Sequence, residues 1–276
     1  MGQYFSHPPL PPSQEPDLLG PNAFMTLPPE IFNEILGYVQ ADWRGRRALI
    51  ACALVASWWT GPSQRRLFSS VLINERNHKR WVDSVVHSRS KSRLLAYVLS
   101  LRHGRGPSWG VGYQMRDLPP DSGEYLSDMH NIHTLTLSRI KVEPVNEEGL
   151  HCCFSAFRRT LTYLSLDVFA TSFNTFVTLV DYFPNLKSLH LRSFWVEPDE
   201  GPVPPLSRPL RGGIHFHDLS PRGLEFFDRF AKLDLEYEEL VVNSTTSTET
   251  RLVEGPLQIS PSTVKFLRLT FTSPCA

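Results

Sequence analysis

The chain has 276 residues, of which 28 are basic and 28 acidic, and its formal net charge at pH 7 is zero. That balance gives no electrostatic footprint for nucleic acid or for an anionic membrane surface. The length allows one large or two modest domains, no run reaches the ~18 apolar residues of a membrane span, and residues 1–12 lack the basic and apolar regions of a secretory signal.

Residues 1–24 carry Pro8, Pro9, Pro11, Pro12, Pro16 and Pro21 and predict a disordered tail, since such a segment buries too little apolar surface to offset its ordering entropy. Its start, Met1-Gly2-Gln3-Tyr4-Phe5-Ser6, fits the short pattern for lipidation at Gly2. No polybasic stretch follows, and one acyl chain alone tethers a protein only weakly to a membrane. Structure then begins at Thr26-Leu27-Pro28-Pro29-Glu30, where proline suits a first helical turn. Ile31, Ile35 and Val39, with Phe32 and Leu36 beside them, have helical spacing. A second helix is predicted from about Arg46 to Trp58, a break at Gly61-Pro62, and a third helix over Ser63–Ser69. The strand Val71–Ile73 closes this unit, so the predicted boundaries are a tail over 1–24, a helical unit over 25–73 and a second domain over 74–276.

In the second domain a further helix is predicted over Arg76–Ser88, and then a short apolar phrase returns. It reads Leu99-Ser-Leu101, Leu135-Thr-Leu137, Leu164-Ser-Leu166, Leu189-His-Leu191, Ile214-His-Phe216, Leu240-Val-Val242 and Leu267-Arg-Leu269, at intervals of 36, 29, 25, 25, 26 and 27. Between the phrases the period changes from 2 to 3.6, as in Phe173, Phe176, Val177, Val180 and Phe183, or Leu224, Phe227 and Phe230. Strand, turn and helix at ~20–29 residues is the pattern of leucine-rich repeats. Loops over 103–128 and 197–213 interrupt it. Asp121-Ser122-Gly123-Glu124-Tyr125-Leu126-Ser127, in the first loop, is one residue longer than a D-S-G-x-x-S phosphodegron and reads as a turn. The position three residues after each phrase, normally Asn or Cys, holds Ile140, Phe169, Phe194, Thr245 and Thr272, so packing rather than a polar ladder must fix the turns. The expected fold class is α/β: a small three-helix unit followed by an irregular repeat solenoid with a curved parallel sheet.

The phrase Leu27-Pro28-Pro29-Glu30-Ile31, then Ile35-Leu36, then Cys52-Ala53-Leu54-Val55 with Trp58 and Trp59, then Leu67-Phe68, resembles an F-box. That pattern opens with L-P-x-E-I, continues with I-L and C-x-L-V-x-x-x-W, and ends with L-F. Followed by leucine-rich repeats, the chain resembles a divergent, fungal-type F-box/leucine-rich-repeat protein. The resemblance implies a substrate receptor of an SCF ubiquitin ligase, which docks a Skp-type adaptor and through it a cullin and a RING subunit, while the repeat domain holds a target protein. By motif match the adaptor contacts would be Leu27, Pro28, Ile31, Ile35, Leu36, Leu54, Val55, Trp58 and Trp59, some of them serving as packing beneath.

With the leucines of each phrase inward, the residues between and beside them face out. Val98, Ser100 and Arg102 lead that face, and the expected target contacts are Tyr163, Asp167, His190, Arg192, His215, His217 and Arg268. His190 and His215 share a column on neighbouring strands, with His217 two residues on. Three histidines suit zinc or a pH response, but no fourth ligand is evident, so the expectation is a polar patch with no metal and no cofactor. Arg102, Arg192 and Arg268 suit a phosphorylated target. No G-x-S-x-G, H-E-x-x-H or phosphate-loop motif appears, Cys152-Cys153 sits in a predicted helix, and the chain is read as a non-enzyme. Cys52, Cys152, Cys153 and Cys275 show no C-x-x-C spacing and predict reduced thiols in a cytoplasmic or nuclear protein. The alternatives are a repeat scaffold with no ubiquitin role and an enzyme hidden in the two loops.

Overall fold

The architecture comes from a computed structural model that describes residues 28–41, 45–55, 57–74, 76–88, 91–104, 125–140, 147–167, 170–197, 202–217, 226, 229–230, 232–233, 235–244 and 264–271. The proline-rich tail, Gly2, Leu27, Asp121–Glu124, Phe169, Thr245, Thr272 and Cys275 lie outside the described residues. The chain divides into two units, Met1–Ser63 and Gln64–Ala276.

In the first unit, Pro29 opens α1 (Pro29–Ala41) and Glu30 lies in its first turn, where the helix dipole favours an acid. Phe32 and Leu36, one turn apart, are buried. Leu49 is the buried apolar residue of α2 (Gly45–Val55). Phe32 meets Trp58 and Trp59 at ring-centroid distances of 5.4 and 4.7 Å, an aromatic knot within the unit. The second and third helices differ from expectation. α2 stops at Val55, and α3 (Ser57–Phe68) runs through Gly61 and Pro62. Starting α3 at Ser57 puts Pro62 in its second turn, where the missing N–H forfeits a single intrahelical bond, to Trp58. The Thr60 hydroxyl donates to the Ala53 carbonyl at 2.9 Å, tying the start of α3 to the end of α2.

The second unit is mixed α/β and is built on eight parallel strands: β1 (Ser70–Ile73), β2 (Ser100–Gly104), β3 (Thr134–Ser138), β4 (Tyr163–Asp167), β6 (Ser188–Arg192), β8 (Leu210–His217), β9 (Leu235–Ser244) and β10 (Phe266–Phe271). They pair in chain order. A two-stranded parallel sheet, β5 (Ala170–Ser172) with β7 (Trp195–Glu197), lies outside that order. Val71–Ile73, grouped above with the first helices, is the first strand of this sheet and pairs with β2.

Register corrects the first phrase. Leu101 pairs with Leu135 and with Val71, and His103 with Leu137 and Ile73. The inward pair of β2 is therefore Leu101 and His103, while Leu99 is exposed and Val98 is fully buried rather than outward. His103 satisfies its inward position by a 3.1 Å hydrogen bond between Nε2 and the hydroxyl of Tyr125, itself fully buried, so both ends of the 103–128 segment belong to the core. β8 likewise begins at Leu210, inside the predicted 197–213 loop.

Helical pieces cover the inner face: α4 (His78–Trp81) with a π-helical turn at Val82–Val86, α5 (Lys91–Leu95), α6 (Glu147–Phe154) and α7 (Phe173–Asp181). The Ser172 hydroxyl caps α7 by accepting from the Thr175 N–H at 3.2 Å. At the turns, Ile140 and Phe194 are buried. Each follows a residue with positive φ, Arg139 (58°) and Ser193 (46°), whose N–H bonds the neighbouring strand at Asp167 O or His217 O. Phe194 stacks into a cluster with Phe176 and Phe226, both at 5.2 Å. Apolar packing thus holds turns that a polar ladder would otherwise fix. Segment 202–209 is pinned to α7, where Asp181 accepts from the Ser207 N–H and hydroxyl at 3.0 and 2.7 Å. Among the described residues no helix is long and apolar enough to cross a membrane.

Phe176 touches Phe173, Phe194, Phe226 and Phe230. Phe176→Ala is expected to destabilise the second unit by about 3–5 kcal/mol in urea denaturation, against less than about 0.5 kcal/mol for Lys232→Ala at an exposed position.

Candidate functional site

Because side chains alternate along a strand, the positions between the inward pairs form rows across the outer face. One row runs Arg102, Thr136, Ser165, His190, His215, Val241 and Arg268; the next runs Gly104, Ser138, Asp167, Arg192, His217, Asn243 and Thr270. Tyr163, Asp167, His190, Arg192, His215, His217 and Arg268 all stand on these strands with the outward parity read from the sequence.

β8 and β9 position the densest part of this face. Gly212 adopts φ 91°, and an added Cβ there would lie 1.9 Å from the Lys187 carbonyl oxygen. The register slips at this point, with Gly212 opposite Tyr237 and Gly213 opposite Glu239, so β9 carries one extra residue, Glu238. A bulge of this kind resets the alternation. It lets Tyr237 and Leu240, three residues apart, both face the core, and it leaves Glu239 outward beside His215. Glu238 is exposed and pairs with Lys265 at 2.8 Å.

His190, His215 and His217 form a stack of nearly parallel rings. The centroids of His190 and His215 are 4.0 Å apart at 11°, His190 and His217 5.7 Å, and His215 and His217 6.4 Å, with Tyr163 4.5 Å from His190 on the far side. His190 Nε2 lies 3.1 Å from the Ser188 hydroxyl, the Asn243 amide 3.0 Å from His217 Nδ1, and a Glu239 oxygen 3.8 Å from His215 Nε2. Burial, then the neighbouring His215 and His217, lower the His190 pKa from 6.5 to about 4. Burial also lowers His215; Glu239 opposes the shift, while His217 and Arg268 add to it.

One row over, Asp167 accepts from the Ser138 hydroxyl at 3.0 Å and lies 3.7 Å from Arg102 and 3.9 Å from Arg192. Arg102 and Arg192 therefore already face a carboxylate, and a phosphorylated target would compete with Asp167 for them. Arg268 stands apart from this trio, on β10. The supporting groups Ser138, Ser188, Glu239 and Asn243 carry the outward parity expected of residues beside the leucines, but the sequence did not show which side chains they would meet. Their signal lay in the register, since Asn243 is the cross-strand partner of His217 and Ser138 of Asp167.

The residues of the F-box resemblance are distributed unevenly. Pro28, Ile31, Ile35, Leu54 and Val55 are exposed, whereas Leu36 is fully buried and serves as packing rather than a free contact; Trp58 and Trp59 are half-buried in the aromatic knot. Leu27 lies outside the described residues. Cys152 is exposed and Cys153 half-buried on α6, where burial first and then Cys152 raise the Cys153 pKa, which disfavours the nucleophilic thiolate.

His190 fixes the sign of a pH effect. In the unfolded chain it takes up its proton near pH 6.5; in the folded chain it does so only near 4. Between those values the unfolded state binds more protons, so stability is full above 6.5 and falls as pH drops toward 4. Tyr163 and Ser165 on β4, Ser188 on its own strand, and His215 and His217 on β8 surround the ring, with Asp167 and Arg192 in the next row. The urea midpoint is expected to fall between pH 7 and pH 4.5 in chelator-treated buffer, with a shallower slope in His190→Gln; equal slopes would contradict the burial described.

A scan against protein-family models and a search of the curated proteins return no match to this chain.

Proposed function

We propose that this chain is the substrate-recognition subunit of an SCF-type ubiquitin ligase: residues 28–63 dock a Skp-type adaptor, which joins it to cullin and RING subunits, and the outward face of the parallel sheet holds a target protein. One observation carries the reading. Ile31, Ile35 and Tyr38 line one side of α1 at 44, 37 and 73 % exposure, and Ile50, Leu54 and Val55 on α2 reach 47, 82 and 78 %. Residues at i and i+4 share a helix face, so each short helix presents an apolar stripe to solvent within the segment that resembles an F-box. Exposed apolar surface of this kind marks a protein interface. At ~25 cal/mol per Å², covering ~800 Å² per partner is ample for stable association after entropic costs.

Leu36 and Leu49 supply the packing that holds the stripes in place. Support for the leucine-rich-repeat reading comes from strands in chain order whose buried pairs begin at 71, 101, 135, 164, 189, 214 and 240, with Leu267 in the equivalent register of the last strand. In this reading the bond-forming chemistry takes place on partner subunits, and the chain acts by raising the effective concentration of its target beside them.

Full-length tagged chain, co-expressed with a Skp-type adaptor, is expected to retain it on purification. Ile35→Asp and Leu54→Asp are expected to lower adaptor recovery at least about tenfold, because charge at an interface core costs several kcal/mol, with the circular dichroism spectrum unchanged and Ser165→Asp on the sheet without effect. A wild-type chain that leaves the adaptor behind would overturn the proposal and favour a scaffold outside the ubiquitin system.

A further inference from the structure

We propose that His190, His215 and His217, with the Glu239 carboxylate beside them, form a binding site for a zinc-class divalent transition-metal ion on the outward face of the sheet. The inference goes beyond the receptor reading and does not rest on it.

Convergence is the first argument. The three histidines come from two neighbouring strands, and each offers a ring nitrogen such that all three atoms lie within 4.8 Å of one another. Zinc binds imidazole nitrogen at ~2.0–2.1 Å, so ligand atoms in a tetrahedral site stand about 3.3 Å apart. Because the His190 and His215 rings are stacked at 11°, their in-plane lone pairs converge on one ion only after the rings turn out of the stack, so metal binding must break it. Backbone register fixes the arrangement: His190 is the direct partner of His215, and Arg192 of His217, so no loop has to fold over to complete the set.

The β9 bulge brings a carboxylate up to the edge of this trio, on the His215 side, where it is the candidate fourth ligand. Glu239 Oε2 lies 3.8 Å from His215 Nε2. Space for that approach comes from Gly213. A Cβ at this position would meet His215 Nε2 at 3.1 Å and Glu239 Oε2 at 3.4 Å, so glycine leaves open the gap between the two candidate ligands. Gly213 is not among the positive-φ residues, so its missing side chain serves space rather than backbone conformation.

Outer partners complete the arrangement. A ligating imidazole characteristically bonds a neighbour through its other nitrogen, which fixes the tautomer. Ser188 bonds His190 Nε2, leaving Nδ1 for a metal. Asn243 Nδ2 lies 3.0 Å from His217 Nδ1; flipping the amide sets Oδ1 there, and then the Nδ1–H donates to it and the Nε2 lone pair is left for the metal. Imidazole-rich sites suit zinc, copper and nickel, whereas calcium and magnesium demand oxygen.

The test uses chelator-stripped full-length chain titrated with Zn²⁺ alone, followed by calorimetry and by the thermal unfolding midpoint. One equivalent is expected to bind and raise the midpoint, because the ion ties β6 to β8 and β9; Mg²⁺ is expected to do neither. Loss of an outer-shell partner already costs 10–100-fold in affinity, so His215→Gln with His217→Gln is expected to cost about 100-fold or more, and Glu239→Gln about tenfold. His151→Gln and Cys153→Ala are expected to leave binding unchanged. Co²⁺ on the wild-type chain gives a readout that needs no variant: intense visible bands of a tetrahedral nitrogen-rich site support the proposal, and a weak octahedral spectrum overturns it. Absence of saturable zinc uptake by the wild-type chain, or uptake that the double variant retains in full, also overturns it.

Discussion

The second unit depends on one repeated constraint: seven of the eight strands bury the same two positions, and parallel register stacks those pairs strand upon strand, while the equivalent pair on the last strand, Leu267 and Leu269, is 51 and 37 % exposed. Val71 and Ile73, Leu135 and Leu137, Leu164 and Leu166, Leu189 and Leu191, Ile214 and Phe216, and Leu240 and Val242 all occupy equivalent places and are almost wholly buried. A one-residue slip would turn every one of them to solvent, so the apolar pairs set the register and the register sets everything on the opposite face. Where the inward residue is polar, as at His103, a buried partner has to be recruited, and Tyr125 reaches in from beyond the long insertion to provide it.

The outward face inherits its order from that packing. Residues from separate periods of the sequence become neighbours because their strands pair directly. Asp167 thus collects Ser138, Arg102 and Arg192 from three other strands, and three histidines from two neighbouring strands gather with nearly parallel rings. The single irregularity in the ladder among the described residues, at Gly212 and Gly213, falls where this face is densest in titratable groups. A bulge bends and re-aims a strand, and here it keeps Tyr237 in the core while bringing Glu239 to His215.

The helical unit follows the opposite logic. Phe32, Leu36, Leu49 and the two tryptophans use up the packing that so short a segment can offer, and small units bury a smaller share of their surface than large ones. Ile31, Ile35, Ile50, Leu54 and Val55 are left outside. An apolar excess of this sort is the physical basis for reading the unit as one made to bind a partner.

The sequence by itself determined the parallel strands, their spacing and the parity of most outward residues, because periodic leucines report burial and burial dictates which side each neighbour takes; Val98 and Val241, expected outward, are buried, and Leu267 and Leu269, expected inward on the last strand, are exposed. It misjudged the first phrase because Leu99 and Leu101 look equivalent on paper; only pairing with β3 distinguishes the exposed Leu99 from the buried Leu101. It placed a helix break at Gly61-Pro62 because local propensity argues for one there, whereas helix phasing from Ser57 leaves that proline a single lost bond. Tertiary structure alone decided which groups meet. The extra residue at Glu238, the closeness of Glu239 to His215 and the fit of Asn243 to His217 depend on register across strands some 25 residues apart, and no local pattern encodes a distance between chain segments that only folding brings together.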